Sequence, residues 1–310
     1  MKKNNILYSI VIPVYNSSLF IENTLKEVTK AMDDTKLFYE IVLVNDGSND
    51  DSWKIINNFA KKNKFVTAIN LLKNYGQHIA VFCGLKNARG DYVITIDDDL
   101  QNPPQEIIKL INKAKFGYDL VIGSFDQKKH SLFRRLGSFV INSINRRIFD
   151  ISDDLKLTNF RLIRKDVVSR MINYNTSYPY ITGLSLLMSG YRCNVSVKHD
   201  VRKFGKSNYN LKKLLKLVFE ILFNYSSVPM KFVSTIGITV SGFSFITGCY
   251  FFISALINDN YPPGWASLFV FLTFINGLVI LLLGMIGEYL IRISNQINNS
   301  DKYFISDIQK

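Results

Sequence analysis

Residues 91–104, DYVITIDDDLQNPP, run a short β-rich stretch straight into three adjacent carboxylates, Asp97, Asp98 and Asp99, followed by Gln101 and a double proline. Val93 to Ile96 reads as a strand, and Pro103 and Pro104 end the next turn and lead into a helix over 106–113. Adjacent like charges repel, so one acid is protonated or a cation is shared among them. In an extended or tightly turning segment, residues i and i+2 project to one side. Asp97 and Asp99 can therefore share a hard divalent ion, Mg²⁺ or Mn²⁺, with Gln101 as a third oxygen and Asp98 turned elsewhere.

A solvated turn or helix cap is the ordinary fate of such a triplet; its position in the chain argues otherwise. Upstream, YSIVIPV, IENTLKEVTKAM, YEIVLVND, SWKIINNFAKK, VTAINLL and a helical stretch around 77–88 alternate strand with helix. That order predicts an α/β domain with a mainly parallel sheet, and unbroken apolar strands such as Ile41 to Val44 predict burial on both faces. Ligands of such sheets sit at the carboxyl ends of the strands. Those ends carry Tyr15 and Asn16, Asn45 to Ser48, Asn74 to Gln77, and Asp97 to Gln101. Neither GxGxxG nor GxxxxGK[ST] occurs, so a nucleotide here needs another device for its phosphates. A shared metal ion is one.

The chain of 310 residues carries a net charge of +13. Much of the excess lies in residues 128–216, which hold nineteen Lys or Arg against five Asp. Nucleic acid, anionic lipid headgroups and a phosphorylated substrate all fit such a belt. Cys83, Cys193 and Cys249 are odd in number and far apart, which argues against a disulfide framework or zinc site and for a reducing compartment. The N-terminus lacks a signal-peptide core and reads as the first strand of a cytoplasmic domain.

The last third changes character. Residues 232–257 contain no charge in 26 positions, and residues 265–287 none in 23, each exceeding the roughly 20 residues that cross a bilayer. The connector 258–264 has no Lys or Arg, whereas Lys212, Lys213, Lys216 and Lys231 precede the first stretch and Arg292 and Lys302 follow the second. The positive-inside rule then puts both termini in the cytoplasm. Ahead of the first stretch, Leu211, Leu214, Leu215, Val218, Ile221 and Leu222 recur at helical spacing, as expected of a helix lying in the membrane surface or packed on the core. Residues 134–149 are a second such candidate. The expected organisation is a catalytic domain over 1–210, an amphipathic helix over 211–231, transmembrane helices over 232–257 and 265–293 joined by an external loop over 258–264, and a cytoplasmic tail over 294–310.

Taken in order, IVIPVYN, LVNDGSNDDS, NYGQHIAVFCGL, GDYVITIDDDLQNPP, FRLIRKDVV, RKFGKSNY and GMIGEYLIRI resemble the bacterial polyprenyl-phosphate glycosyltransferases. These are membrane members of the inverting GT-A, family 2 glycosyltransferases, related to dolichol-phosphate mannose synthase. The similarity covers essentially the whole chain. It implies a GT-A catalytic domain followed by interface helices and two transmembrane helices in the cytoplasmic membrane, and a homo-oligomer, a tetramer in the family. It also implies a nucleotide-sugar donor held by Pro13, Tyr15, Asp46, Gly76, Gln77 and Asp98, and metal ligands Asp97, Asp99 and Gln101. The polyprenyl phosphate acceptor would meet Arg134, Ser138, Arg202, Gly205, Lys206 and Ser207, with Asp97, Asp99 and Arg202 carrying the chemistry.

Four positions depart from the family pattern. Ser17 replaces a Glu, Asn208 a Lys, Phe125 an Arg, and Asn159 the Asp of GDFRL, a natural candidate for a catalytic base. Asp153 or Asp154 could stand in for that Asp. Little deprotonation is needed in any case, because a phosphate monoester with a second pKa near about 6 is already anionic at neutral pH. The implied reaction is an in-line displacement at the anomeric carbon with inversion, from a donor whose base is taken as uridine. NYGQH and DLQNPP look most like transferases of an aminoarabinose derivative and FRLIRKDVV like transferases of glucose, so the sugar stays open, as does its destination in O-antigen, lipopolysaccharide or another envelope glycan.

Two other readings remain: a catalytically degenerate scaffold or flippase partner, which Asn159 and Asn208 favour, and a processive polysaccharide synthase. Against the latter, Trp53 and Trp265 are the only tryptophans and neither lies in a QxxRW motif. A nucleic-acid binder explains the basic belt but neither the acidic cluster nor the apolar stretches. His78, His130 and His199 lack metal-site spacing.

Overall fold

The computed structural model describes residues 6–125, 143–149, 151, 155–176, 178–200, 211–229, 264–297 and 302–310, with scattered positions between 231 and 246. The first half winds as β1 (Leu7–Val14), α1 (Ile21–Asp33), β2 (Phe38–Asn45), α2 (Ser52–Lys62), β3 (Val66–Leu71), α3 (Gln77–Asn87) and β4 (Tyr92–Thr95). β1 pairs in parallel with both β2 and β4, and β2 with β3, so their carboxyl ends share one edge. Ile10 to Ile12 and Ile41 to Val44 are wholly buried, which is why these strands read as unbroken apolar runs and not as alternation. α1 buries Ile21, Leu25, Val28 and Met32, one stripe at helical spacing. α3 lies close across β1 and β2: a Cβ on Gly84 would stand 2.3 Å from Val11 Cγ1, so only glycine lets the helix sit there. That approach sets the height of Gln77 at its first turn.

Beyond β4 a short 3-10 turn at Pro104–Glu106 leads into α4 (Ile107–Ala114), β5 (Leu120–Ser124), β6 (Arg161–Arg164), α5 (Lys165–Asn173), α6 (Ile181–Met188) and β7 (Arg192–Ser196). With a last strand, β8 (Ile305–Gln309), the strand order is β7-β5-β6-β4-β1-β2-β3-β8. β6 runs antiparallel to both β4 and β5, with Arg161 opposite Thr95. This reversal brings the start of β6, with Asn159 just ahead of it, to the edge where β4 ends at Thr95 and the chain runs on to Asp97. β5 and β7 restore parallel pairing.

β8 (Ile305–Gln309) comes from the end of the chain and adds antiparallel to β3. The chain therefore divides into one unit of Met1–Leu214 with Asp301–Lys310, and another of Leu215–Ser300. Within the expected tail over 294–310, α8 (Trp265–Ile297) reaches Ile297 and β8 begins at Ile305.

In the second unit α7 (Leu211–Tyr225) and α8 carry the rings of Phe223 and Tyr289 5.7 Å apart. Side chains of α8 are described only in part, and among the described residues no helix is long and apolar enough to cross a membrane. The expected first span, 232–257, and loop, 258–264, lie largely outside the described residues. Of the amphipathic candidate over 134–149 only 143–149 is described. It is helical and turns Asn145 and Phe149 inward, the Asn145 amide donating to the Tyr180 hydroxyl at 3.0 Å. Its described part is thus packed on the domain.

Candidate active site

Three of the expected residues, Pro13, Gln77 and Asp97, meet at the carboxyl edge. Pro13 of β1, Gln77 and His78 of α3, Asp97 after β4, Asn159 and Arg161 at β6, and Ile181 of α6 line one narrow pocket. Gln77 Nε2 donates to Asp97 Oδ1 at 2.6 Å. Burial, then the neighbouring Asp99, push the Asp97 carboxyl up to about 6, while Asn159, Arg161 and Gln77 favour its charged form. Asp99 Oδ1 accepts the Gln101 backbone N–H at 3.1 Å, across a Leu100 held at φ 55°. A branched side chain in the left-handed region costs on the order of 1–2 kcal/mol, and such strain concentrates at working sites.

Asp98 faces away from the pocket. Its carboxylate accepts the Ser17 hydroxyl in a short hydrogen bond and the Tyr15 backbone N–H, and its carbonyl accepts Thr24 Oγ1 at 2.6 Å. Burial pushes it up to about 7 against those hydrogen bonds, with Asp97 and Asp99 adding to the rise. Asp98, expected at the donor, ties the β1–α1 turn through these contacts. Ser17, the departure from the family's Glu, is buried there and supplies a donor where a Glu would bring a second carboxylate. Tyr15 is left half-exposed at the mouth.

Asp46 is likewise a holder of backbone. Its two oxygens accept the N–H groups of Tyr75, at 2.7 Å, and Gly76, at 2.9 Å, and burial raises its pKa against them. Next to it Gly47, at φ 61°, lies so close to the Lys73–Asn74 peptide that a Cβ would stand 2.3 Å from the Lys73 carbonyl carbon. The NDG of β2 thus fixes the turn that carries Gly76 and Gln77.

Arg161 is the site's residue that spacing and pattern did not single out. It is wholly buried, donating through Nη1 to Ser185 Oγ at 3.2 Å and through Nη2 to Asn159 Oδ1 at 3.2 Å and Thr182 Oγ1 at 3.1 Å, while its Nε has no partner among the described residues. Burial pushes it down to about 10, still charged at neutral pH. A cation inside the apolar run FRLI was the signal available in the sequence. His78, enclosed beside it with its ring edge-on to Tyr178 and Tyr180, is pushed down to about 4 by burial and Arg161, and is neutral. His199 stacks on Phe125 at 4.0 Å.

Arg134, Ser138, Arg202, Gly205, Lys206 and Ser207 lie outside the described residues, as do Asp153, Asp154 and Asn208. The chain leading to Arg202 is described: the Asp200 N–H donates to the Gln101 carbonyl at 2.8 Å. Asp200, two residues ahead of Arg202 in sequence, therefore lies against the acidic turn.

Among the described residues no group of three His, Cys, Asp or Glu is placed to hold a metal. The protein offers two carboxylates, Asp97 and Asp99, just ahead of the strained Leu100, with the buried Arg161 charge close to Asp97. This fits Mg²⁺ or Mn²⁺, which take few protein ligands and complete their shell with water and substrate phosphate.

The description of glycosyl transferase family 2 matches residues 9–172. An uncharacterized glycosyltransferase, YkcC, of Bacillus subtilis (strain 168) is 33% identical over 302 residues, 97% of this chain and 94% of its own. The undecaprenyl-phosphate 4-deoxy-4-formamido-L-arabinose transferase of Edwardsiella ictaluri (strain 93-146) is 34% identical over 308 residues, 97% of this chain and 93% of its own. In fold, the chain resembles glucosyl-3-phosphoglycerate synthase from Mycobacterium tuberculosis, solved with Mn²⁺, uridine diphosphate and phosphoglyceric acid, at a TM-score of 0.53 and 17% identity over 70% of this chain and 76% of that one. The α/β domain has the GT-A fold, and the chain belongs to glycosyl transferase family 2.

Proposed function

We propose that this glycosyltransferase moves a sugar from a nucleotide-sugar, with uridine as the base, to polyprenyl phosphate, with a divalent metal and inversion at the anomeric carbon. The observation that carries the reading is the meeting of Asp97, Gln77 and Asn159 in one pocket, with Asp200 bonded to Gln101 at the neighbouring acidic turn. Asp97 and Asp99 would hold the ion, with Gln101 beside them; when bound, it supplies positive charge for the leaving nucleoside diphosphate. Gln77 orients Asp97, and the Asp46-tied turn presents Gly76 to the donor. Arg202, Lys206, Gly205 and Ser207, with Arg134 and Ser138, would bind the acceptor phosphate. Two relatives with near-complete coverage act, by name, on undecaprenyl phosphate, which supports that lipid class as acceptor.

The lost Asp at 159 fits the same reading. The acceptor phosphate is already anionic, so the pocket need not remove a proton. Asn159 serves as an amide that accepts from Arg161 and faces Asp97, favouring its ionised form.

The same proposal puts the helical unit in a bilayer. α8 leaves Leu268, Leu272, Val279, Leu283, Ile286, Leu290 and Ile293 exposed. From the first to the last of them the helix rises about 38 Å, more than the roughly 30 Å of hydrocarbon it would cross. Leu214 and Asp301 both belong to the catalytic unit. A segment between them that enters the membrane must return to the same face, which is what two spans over 232–257 and 265–293 with cytoplasmic ends provide. α7, with Leu215 and Phe219 exposed, would lie in the interface.

The test is to incubate membranes containing the protein with undecaprenyl phosphate and a panel of radiolabelled UDP-sugars. Label entering the lipid fraction, and lost on adding EDTA, is the expected result. Absence of transfer from every donor overturns the reading.

A further inference from the structure

The end of the chain lies against the turn that the donor reading depends on. Phe304 uses both of its backbone groups there: its carbonyl accepts the Leu72 N–H at 2.9 Å, and its N–H donates to the Tyr75 hydroxyl at 3.3 Å. These are the two ends of the β3–α3 turn, whose inner side Asp46 holds through the N–H groups of Tyr75 and Gly76. Immediately upstream, Lys302 Nζ lies 4.6 Å from the centre of the Phe82 ring on α3, and Tyr303 hydrogen-bonds the Cys83 thiol one residue further along that helix. Downstream, β8 pairs with β3 through Ile69 opposite Ile308 and Asn70 opposite Asp307. The turn is thus gripped from β2 on one side and from the chain terminus on the other.

We propose that the C-terminal segment Lys302–Gln309 is a positioning part of the donor site, holding the 72–77 turn so that Gly76 and Gln77 meet the nucleotide diphosphate. This rests on the reading of those two residues as donor contacts. Without β8, the turn keeps Asp46 but loses its outer staple, and the N–H of Leu72 and the hydroxyl of Tyr75 go to water. Gln77, one residue past Gly76, then holds Asp97 less firmly. The effect falls on the donor and leaves the acceptor, whose expected contacts are elsewhere. Because residues 215–300 separate the two parts of the catalytic unit in the chain, the second helical segment leads directly into the element that holds the donor turn.

The experiment uses the full chain in detergent micelles, Tyr75→Phe, and a chain ending at Ser300. It reads amide hydrogen exchange over 72–77, UDP affinity with Mn²⁺ present, and KM for undecaprenyl phosphate. A lost hydrogen bond of ordinary net strength corresponds to about a 3- to 10-fold change. Tyr75→Phe should speed exchange at Gly76 and Gln77 and weaken UDP binding by about that factor, and the shortened chain by about 10-fold or more. The KM for the lipid should stay within about two-fold in both. Unchanged exchange and unchanged UDP affinity in Tyr75→Phe overturn the proposal, even where the shortened chain fails to fold. A full chain that binds no UDP overturns the donor role, while the exchange measurement still decides whether β8 sets the turn.

Discussion

The two edges of the sheet handle buried carboxylates in opposite ways. At the amino edge every buried acid has a cation or a full set of donors. Glu40 takes the Ser9 hydroxyl at 2.6 Å, the Arg89 backbone N–H at 2.6 Å and the Arg89 guanidinium at 2.7 Å. Asp119 pairs with Arg164 at 2.8 Å and accepts the N–H groups of Gly190 and Tyr191. At the carboxyl edge Asp97 and Asp98 form no salt bridge among the described residues; their partners are an amide, a hydroxyl and backbone, and burial drives both toward the neutral form. The first edge is balanced and holds the strands together. The second has the buried Arg161 charge near Asp97 but no salt bridge to either acid among the described residues, which leaves both carboxylates open to a bound cation.

The largest effect expected from breaking this contrast is on turnover. Asp99→Asn removes one of the two carboxylates left for an ion and should lower kcat/KM for transfer by about a thousand-fold, with the loss of Mn²⁺ affinity seen directly by calorimetry. Full activity in that variant would sink the metal assignment. Glu40→Gln, at the other edge, should leave kcat/KM within about two-fold while costing about 1–2 kcal/mol of stability, because Arg89 is largely exposed and only the buried half of the pair is lost.

The pH dependence of stability should separate the edges as well. A carboxyl with a folded-state pKa above its unfolded value binds its proton more tightly when folded. Its contribution is complete below 3.8 and is lost as pH rises through about 6 for Asp97 and about 7 for Asp98. The metal-free protein should therefore melt at a lower temperature at about pH 8 than at about pH 5.5, by an amount on the order of 1 kcal/mol or more. Asp98→Asn should flatten that slope. Mn²⁺ should raise the melting temperature more at the higher pH, where the carboxylates are free of protons, and an equal rise at both would contradict cation binding at these carboxylates.

The same contrast explains what could be read from the sequence. The Rossmann-like half is local: each strand and its helix announce themselves by period and by continuous apolar runs, and SWKIINNFAKK matches α2 residue for residue. The carboxyl-edge polar groups were legible too, since strand ends are where such sheets expose side chains. β8 was not, because Phe304 acts through its backbone and Ile305 and Ile308 are partly exposed, so an edge strand far from its partner in sequence carries no apolar signature. Arg161 was missed for a related reason. Its partners Thr182 and Ser185 come from α6, and only the antiparallel turn of β6 brings all three together. The resemblance implies donor contacts for Asp46 and Asp98; the hydrogen bonds they make to backbone and to a hydroxyl are ones that spacing does not reveal.

The smallest effect expected is at Ser17, and it sharpens the contrast most finely. Its hydroxyl donates to Asp98 inside the β1–α1 turn, and a hydrogen bond to a charged acceptor is stronger than one to a neutral acid. Ser17→Ala should therefore cost about 1 kcal/mol at about pH 8, where Asp98 is ionised, and about half as much at about pH 5.5, where Asp98 carries its proton. Denaturant titrations of the metal-free protein at the two pH values measure the difference. An equal cost at both would mean that Asp98 keeps one charge state throughout, and the amino and carboxyl edges would then differ only in their partners and not in their response to protons.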